Sequence, residues 1–284
     1  MSYKTILVHL DDSAQALQRL QTAMLLAQRF GAHLIGAAPT GVSRFLYQVM
    51  PSADADPTLA LHLAFVREGA QRALAAFTAQ MAASAVASCA ALLVDDEAGD
   101  GIALHGRTAD LVLVGQADPE HVHPNLPADF AAHVVLNAGR PVLVLPHGQV
   151  PATLGTRVLL SWDASKEAAR ALALALPLLQ QADQVQVAVF DGGDKRTASD
   201  AQAASPIAWL QRHGVAATLT VQPVEGRRGR RHAIGEALLA MADEQAADLL
   251  VMGAYGHSRL RETILGGVTR TVLEEMSIPV LMAH

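Results

Sequence analysis

Short β-branched and leucine-rich runs recur along the chain, each followed by a stretch with apolar positions at helical spacing. The first, in TILVHLDDSAQAL, ends at Asp11 and then Ser13, a residue placed to cap a helix. Leu17, Leu20, Met24 and Ala27 form the apolar stripe of that helix, and Gly31 is its stop. RVLLSWDASKEAARAL starts the same order again at Arg157. ADLVLVG ends at Gly115 and ADLLVMG at Gly253, while RPVLVLP begins at Arg140 and IPVLMAH at Ile278. Gly115 to Pro141 and Gly253 to Pro279 are both 26 positions, so the landmarks recur in order and at the same spacing. The chain reads as a duplication.

The halves differ in length. Asp11 to Gly115 spans 104 positions and Asp163 to Gly253 spans 90, a surplus of about fourteen in the first half. It is expected in PTGVSRFLYQVMPSADADP, between the second strand (AHLIGAA) and the long Ala-rich helix after it. Pro146 to Gly155 is rich in breakers and poor in packing residues and reads as a linker. The domains are therefore expected at residues 1–147 and 155–284.

Each half is expected to alternate strands and helices through five strands, those of the second at 157–162, 185–190, 216–222, 248–252 and 279–283. Runs without polar alternation mark strands buried on both faces, as in a parallel sheet covered by helices. The fold class is α/β, as two tandem doubly wound parallel-sheet domains of Rossmann-like form. Ligands of such sheets bind outside the carboxyl ends of the strands. Asp163, Val189 and Gly253 fall at such ends and should converge.

Composition narrows the function classes. At 51% hydrophobic and 17% charged, the 284 residues suit large cores and exclude general disorder. Aromatic residues at 4% and a net charge of −6 argue against a nucleic-acid binder, which needs stacking platforms or a basic face. Cys89 is the single cysteine, so neither a disulfide framework nor a cysteine zinc cluster is available. MSYKTILVHLDDS lacks the marks of a signal peptide, and no apolar run approaches the ~18 residues of a membrane helix. A cytoplasmic protein with no membrane partner is expected.

The chemistry concentrates in GAYGHSRLRETILGGVTR, from Gly253 to Arg270. Gly253 and Gly256 follow a strand, where glycine lets the backbone turn and approach a ligand. Gly266 and Gly267 open a helix whose Val268, Val272 and Met276 are four apart. Free amides and the helix dipole favour an anion there, and Thr269 adds a hydroxyl. Local chemistry alone is equally served by a tight turn and close helix packing. There is no GK[ST] and no GxGxxG.

The spacing G-x2-G-x9-G after VMG and before VLEEMSIPVL resembles the nucleotide-binding signature of the universal stress proteins. ILVHLDDS and VLLSWDAS are similar to that family's opening strand and Asp, and the resemblance runs along both halves, as a tandem form. It implies adenine and ribose contacts at Asp163 with Ser161 and Trp162, and an adenine contact at Val189. It implies a phosphate side at Met252, Gly253, Gly256, His257, Gly266, Gly267, Val268 and Thr269. The implied ligand is ATP or AMP, with Mg as an optional companion; no catalytic residue and no protein metal ligand is assigned. Gly267 departs from the pattern, which has Ser or Thr at that place; losing one hydroxyl bond weakens binding by ~1 kcal/mol. Trp162 is bulky beside the expected adenine and would either stack on it or fill its place.

The first half lacks these features. Asp118 stands where Gly256 does, Ala128 for Gly266, Asp129 for Gly267 and Ala131 for Thr269. Two carboxylates repel phosphates, so one nucleotide site is expected, in the second half, with Asp11 retained in a degenerate first half.

Other motifs carry less. GHSRL is one glycine short of a nucleophile elbow, with His284 the only later histidine. EGRRGRRHA, with Arg227, Arg228, Arg230 and Arg231, reads first as a solvated loop and second as an aid to phosphate binding. HVHPN offers His121 and His123 without a third ligand, and His9 and His105 read as core or strand-end residues. The expected function is a stress-response protein that couples nucleotide occupancy to conformation or partner choice, rather than a dedicated enzyme. Slow ATP hydrolysis and a nucleotide-free structural pair are the alternatives. The family's last strands pair, which implies an intrachain pseudo-dimer and leaves a homodimer open.

Overall fold

The structure is a computed structural model that describes residues 2–13, 15–49, 57–120, 126–148, 153–191, 205–223, 230–256 and 267–284. Its contacts divide it into two compact units, Ser2–Val142 and Leu143–His284. In the first, β1 (Thr5–His9), β2 (His33–Pro39), β3 (Cys89–Val94) and β4 (Leu111–Gly115) lie in the order β3-β2-β1-β4, and β5 (Val142–Leu145) starts at the unit's last residue. Its helices are α1 (Ala16–Phe30), α2 (Arg44–Val49), α3 (Pro57–Ala82), α4 (Ala98–Gly106) and α5 (Phe130–Asn137). The second unit orders β6 (Arg157–Ser161), β7 (Gln184–Asp191), β8 (Ala217–Pro223), β9 (Leu249–Gly253) and β10 (Val280–Ala283) as β10-β9-β6-β7-β8. It carries α6 (Lys166–Leu179), α7 (Ile207–Arg212), α8 (Arg230–Glu244) and α9 (Gly267–Glu275).

β1 pairs in parallel with β2 and β4, and β6 with β7 and β9, so both units are parallel α/β sheets as expected. Every residue of β10 and the first four of β9 are buried, which explains why these runs are apolar without alternation. The five strands of the second unit begin and end within one residue of the positions read from the sequence.

The duplication extends to atomic detail. Ile6 lies opposite Leu111 in one sheet, and Val158 opposite Leu249 in the other, at the matching places. The Asp110 carboxylate accepts from the amides of Lys4 (2.7 Å) and Thr5 (2.9 Å). Asp248 accepts from those of Thr156 (2.9 Å) and Arg157 (2.9 Å). A charged acceptor thus satisfies the amides that open each central strand, before the sheet ladder can.

Two expectations change. Ser165 caps α6, taking the Ala168 amide at 3.1 Å, but Ser13 caps nothing: its hydroxyl donates to Asp11 at 2.6 Å and α1 starts at Ala16. Leu17 is exposed; the buried face of α1 runs through Arg19, Leu20, Ala23, Leu26 and Phe30. The segment expected to hold the surplus of the first half carries the six residues of α2, ahead of the 26 of the long helix α3.

Candidate functional site

Strand β6 ends at Ser161, and Trp162 still pairs with β7 through its amide to the Ala188 carbonyl (2.8 Å). The chain then turns: Ser165 N–H donates to the Asp163 carboxylate (3.0 Å) and Ala164 is left-handed, at φ 57°. Holding a non-glycine residue there costs on the order of 1–2 kcal/mol, which the Asp163 and Ser165 bonds help offset. Helix α6 follows, and its first turn lies against the end of β9. A side chain on Gly253 would begin 2.5 Å from the Ala168 nitrogen and 2.6 Å from the Glu167 carbonyl carbon. Gly253 is therefore glycine because helix backbone passes over it.

Beyond β9, Tyr255 is also left-handed, at φ 62°, and its amide donates to the Thr269 hydroxyl at 3.3 Å. That bond docks the loop after β9 onto the first turn of α9, and Thr269 is buried. The loop is held on its other side by Ala254, which accepts from His284 Nδ1 (3.0 Å) and donates its amide to Ala283 (2.9 Å). Gly256 faces α6: a side chain there would begin 2.9 Å from Glu167 Oε2 and 3.5 Å from Ser165 Oγ.

Asp163, Gly253, Gly256, Gly267, Val268 and Thr269 are thus brought to one end of the sheet. Val189 lies next to them, inside β7 and buried, one residue past the Ser161–Ala188 pair. Met252 is buried in β9. The Trp162 indole is buried as well, and its N–H has no hydrogen-bond partner among the described residues. His257 and Gly266 lie outside the described residues, as do His121, His123, Ser258, Arg227 and Arg228. Among the described residues no group of three or more His, Cys, Asp or Glu could hold a metal. No helix among them is long and apolar enough to cross a membrane.

Residues 156–284 match the model of the universal stress protein family. Through that half the chain belongs to the universal stress protein family. A universal stress protein of Synechocystis is 50% identical over 46 residues, 16% of this chain and 16% of that protein. One of Methanocaldococcus jannaschii is 34% identical over 47 residues, 16% of this chain and 29% of that protein. The chain thus matches less than a third of the length of either relative. Fold likeness reaches further: the crystal structure of a universal stress protein from Archaeoglobus fulgidus superimposes with a TM-score of 0.70 at 17% identity, covering 98% of this chain and 95% of that one.

The first half holds a different arrangement at the matching end of its own sheet. Arg19 is buried, its Nε donating to the His9 carbonyl (2.7 Å) and its Nη2 lying 2.8 Å from Asp11 Oδ1. A side chain on Gly115 would begin 2.8 Å from Arg19 Nη1, so the guanidinium lies beneath the strand-end glycine. Burial alone would raise the Asp11 carboxyl; the Arg19 charge, then His9 and the two bonds from Ser13, outweigh it and hold the group well below the usual carboxylate range. Asp118 accepts from Gln15 Nε2 at 2.8 Å, and Asp129 stands exposed before α5. Sequence reasoning missed Arg19 and its place beneath Gly115. It also missed Glu167 in the second half; aligning the repeats pairs it with Gln15, and that was the available signal.

Proposed function

We propose that this universal stress protein binds one adenine nucleotide per chain, ATP or AMP, in its second half, and that occupancy governs its conformation or choice of partner. The observation that carries the reading is the Tyr255–Thr269 bond, which joins the glycine loop after β9 to the first turn of α9. The amides of Gly267, Val268 and Thr269 have no carbonyl four residues back within the helix and are therefore donors for an anion. Gly256, without a side chain, lets the loop come close to the first turn of α6. Ser161 and Asp163, at the end of β6, and Val189, inside β7, are the residues for ribose and adenine.

The first half is proposed to hold no nucleotide, because Arg19 and Asp11 pair beneath Gly115 and Asp118 stands at the place of Gly256. Mass spectrometry of ligand released from the purified full chain, with a parallel phosphate-release assay, tests the reading. Adenine nucleotide with negligible phosphate release supports it. Steady release would make the protein a slow hydrolase, and absence of any bound or bindable nucleotide would leave a structural pair of domains.

A further inference from the structure

Glu167 lies in the first turn of α6 with its side chain 4% exposed, and its Oε2 is the atom nearest to where a side chain on Gly256 would begin. Among the described residues its ion-pair partner is Lys166 Nζ at 3.3 Å, on a side chain 80% exposed, so solvent screens much of that attraction. The first half also keeps one carboxylate here, by the opposite choice. Asp118 is on the loop and Gln15 on the helix, bonded at 2.8 Å. In the second half the loop residue is glycine and the acid stands on the helix.

A phosphate at Gly256 therefore meets a buried carboxylate at close range, where two negative charges repel far more than in water. A divalent cation between them removes the conflict. Magnesium is ordinarily held by one or two carboxylates together with the substrate's own phosphates, rather than by an all-protein cage. Since no group of three ligating side chains is available among the described residues, such a cation would arrive with the ligand. We propose that Glu167 is a specificity-determining residue that admits a magnesium–nucleotide complex and turns away the free anion. This rests on the second half being the nucleotide site.

The test is calorimetric titration of the full chain with ATP, in excess Mg2+ and in EDTA, for the unaltered protein and for Glu167→Gln. Gln15 fills the matching place in the first half, so the fold accepts that side chain, and a melting curve checks it. Affinity of the unaltered protein is expected to fall at least roughly tenfold on chelation, while the two conditions differ by less than about threefold for Glu167→Gln. Equal affinity of the unaltered protein in Mg2+ and EDTA would overturn the proposal and leave the nucleotide reading standing. So would a tenfold gap retained in Glu167→Gln. Absence of binding in all four titrations would overturn the nucleotide reading itself, and this inference with it.

Discussion

Arg19 and Asp11 form a buried ion pair at 2.8 Å beneath Gly115, and the second half has Ala171 where Arg19 stands. Removing the arginine leaves a buried carboxylate without its main counter-charge. Arg19→Ala is expected to destabilise the first half by about 3–5 kcal/mol, read as a lowered urea midpoint. Asp11→Ala combined with Arg19→Ala should cost less than the sum of the two single changes. Additive losses would mean that the pair is not coupled.

The same pair makes stability depend on acid. Asp11 has its carboxyl lowered by folding, so its contribution is complete above the unfolded value of ~3.9 and is lost as pH falls through that value toward the folded one. Melting temperature followed from pH 6 downward (roughly to pH 2) should drop, and Asp11→Asn should flatten part of that drop. An identical acid profile for the two proteins would count against this account.

Asp110 and Asp248 are expected to matter equally, because each holds the two amides that open its central strand. Asp248→Ala should cost about 2–3 kcal/mol through two unsatisfied amides. Hydrogen exchange should quicken at Thr156 and Arg157 and stay unchanged at Lys4 and Thr5. Asp110→Ala should give the reverse pattern. Exchange that rises evenly over both halves would show that the clamp is not local.

The positions of the strands were legible because a buried strand must be apolar along its whole length, and the repeat supplied two readings of each landmark. Ser165 followed the capping rule. Ser13 did not, since the buried Asp11 takes its hydroxyl, and a long-range pair such as Asp11–Arg19 leaves no local mark. Leu17 misled for the same reason: the buried face of α1 is turned to include Arg19. In the candidate site the glycines were legible, but the reason for one was not. Gly253 makes room for the backbone of α6, which is distant in sequence, whereas Gly256 faces the Glu167 carboxylate. Only the folded chain sets these pairs side by side.

Calorimetric titration of the full chain with ATP in Mg2+, compared with Gly256→Asp and with Glu167→Gln/Gly256→Asp, decides whether the second half alone holds a nucleotide. The double variant copies the Gln15–Asp118 pair of the first half, so it should melt higher than Gly256→Asp alone, in which two carboxylates meet. A stoichiometry of about one nucleotide per chain is expected, with binding lost in both variants, since a loop carboxylate at that place repels phosphate. Two nucleotides per chain, or full binding by the well-folded double variant, would contradict it.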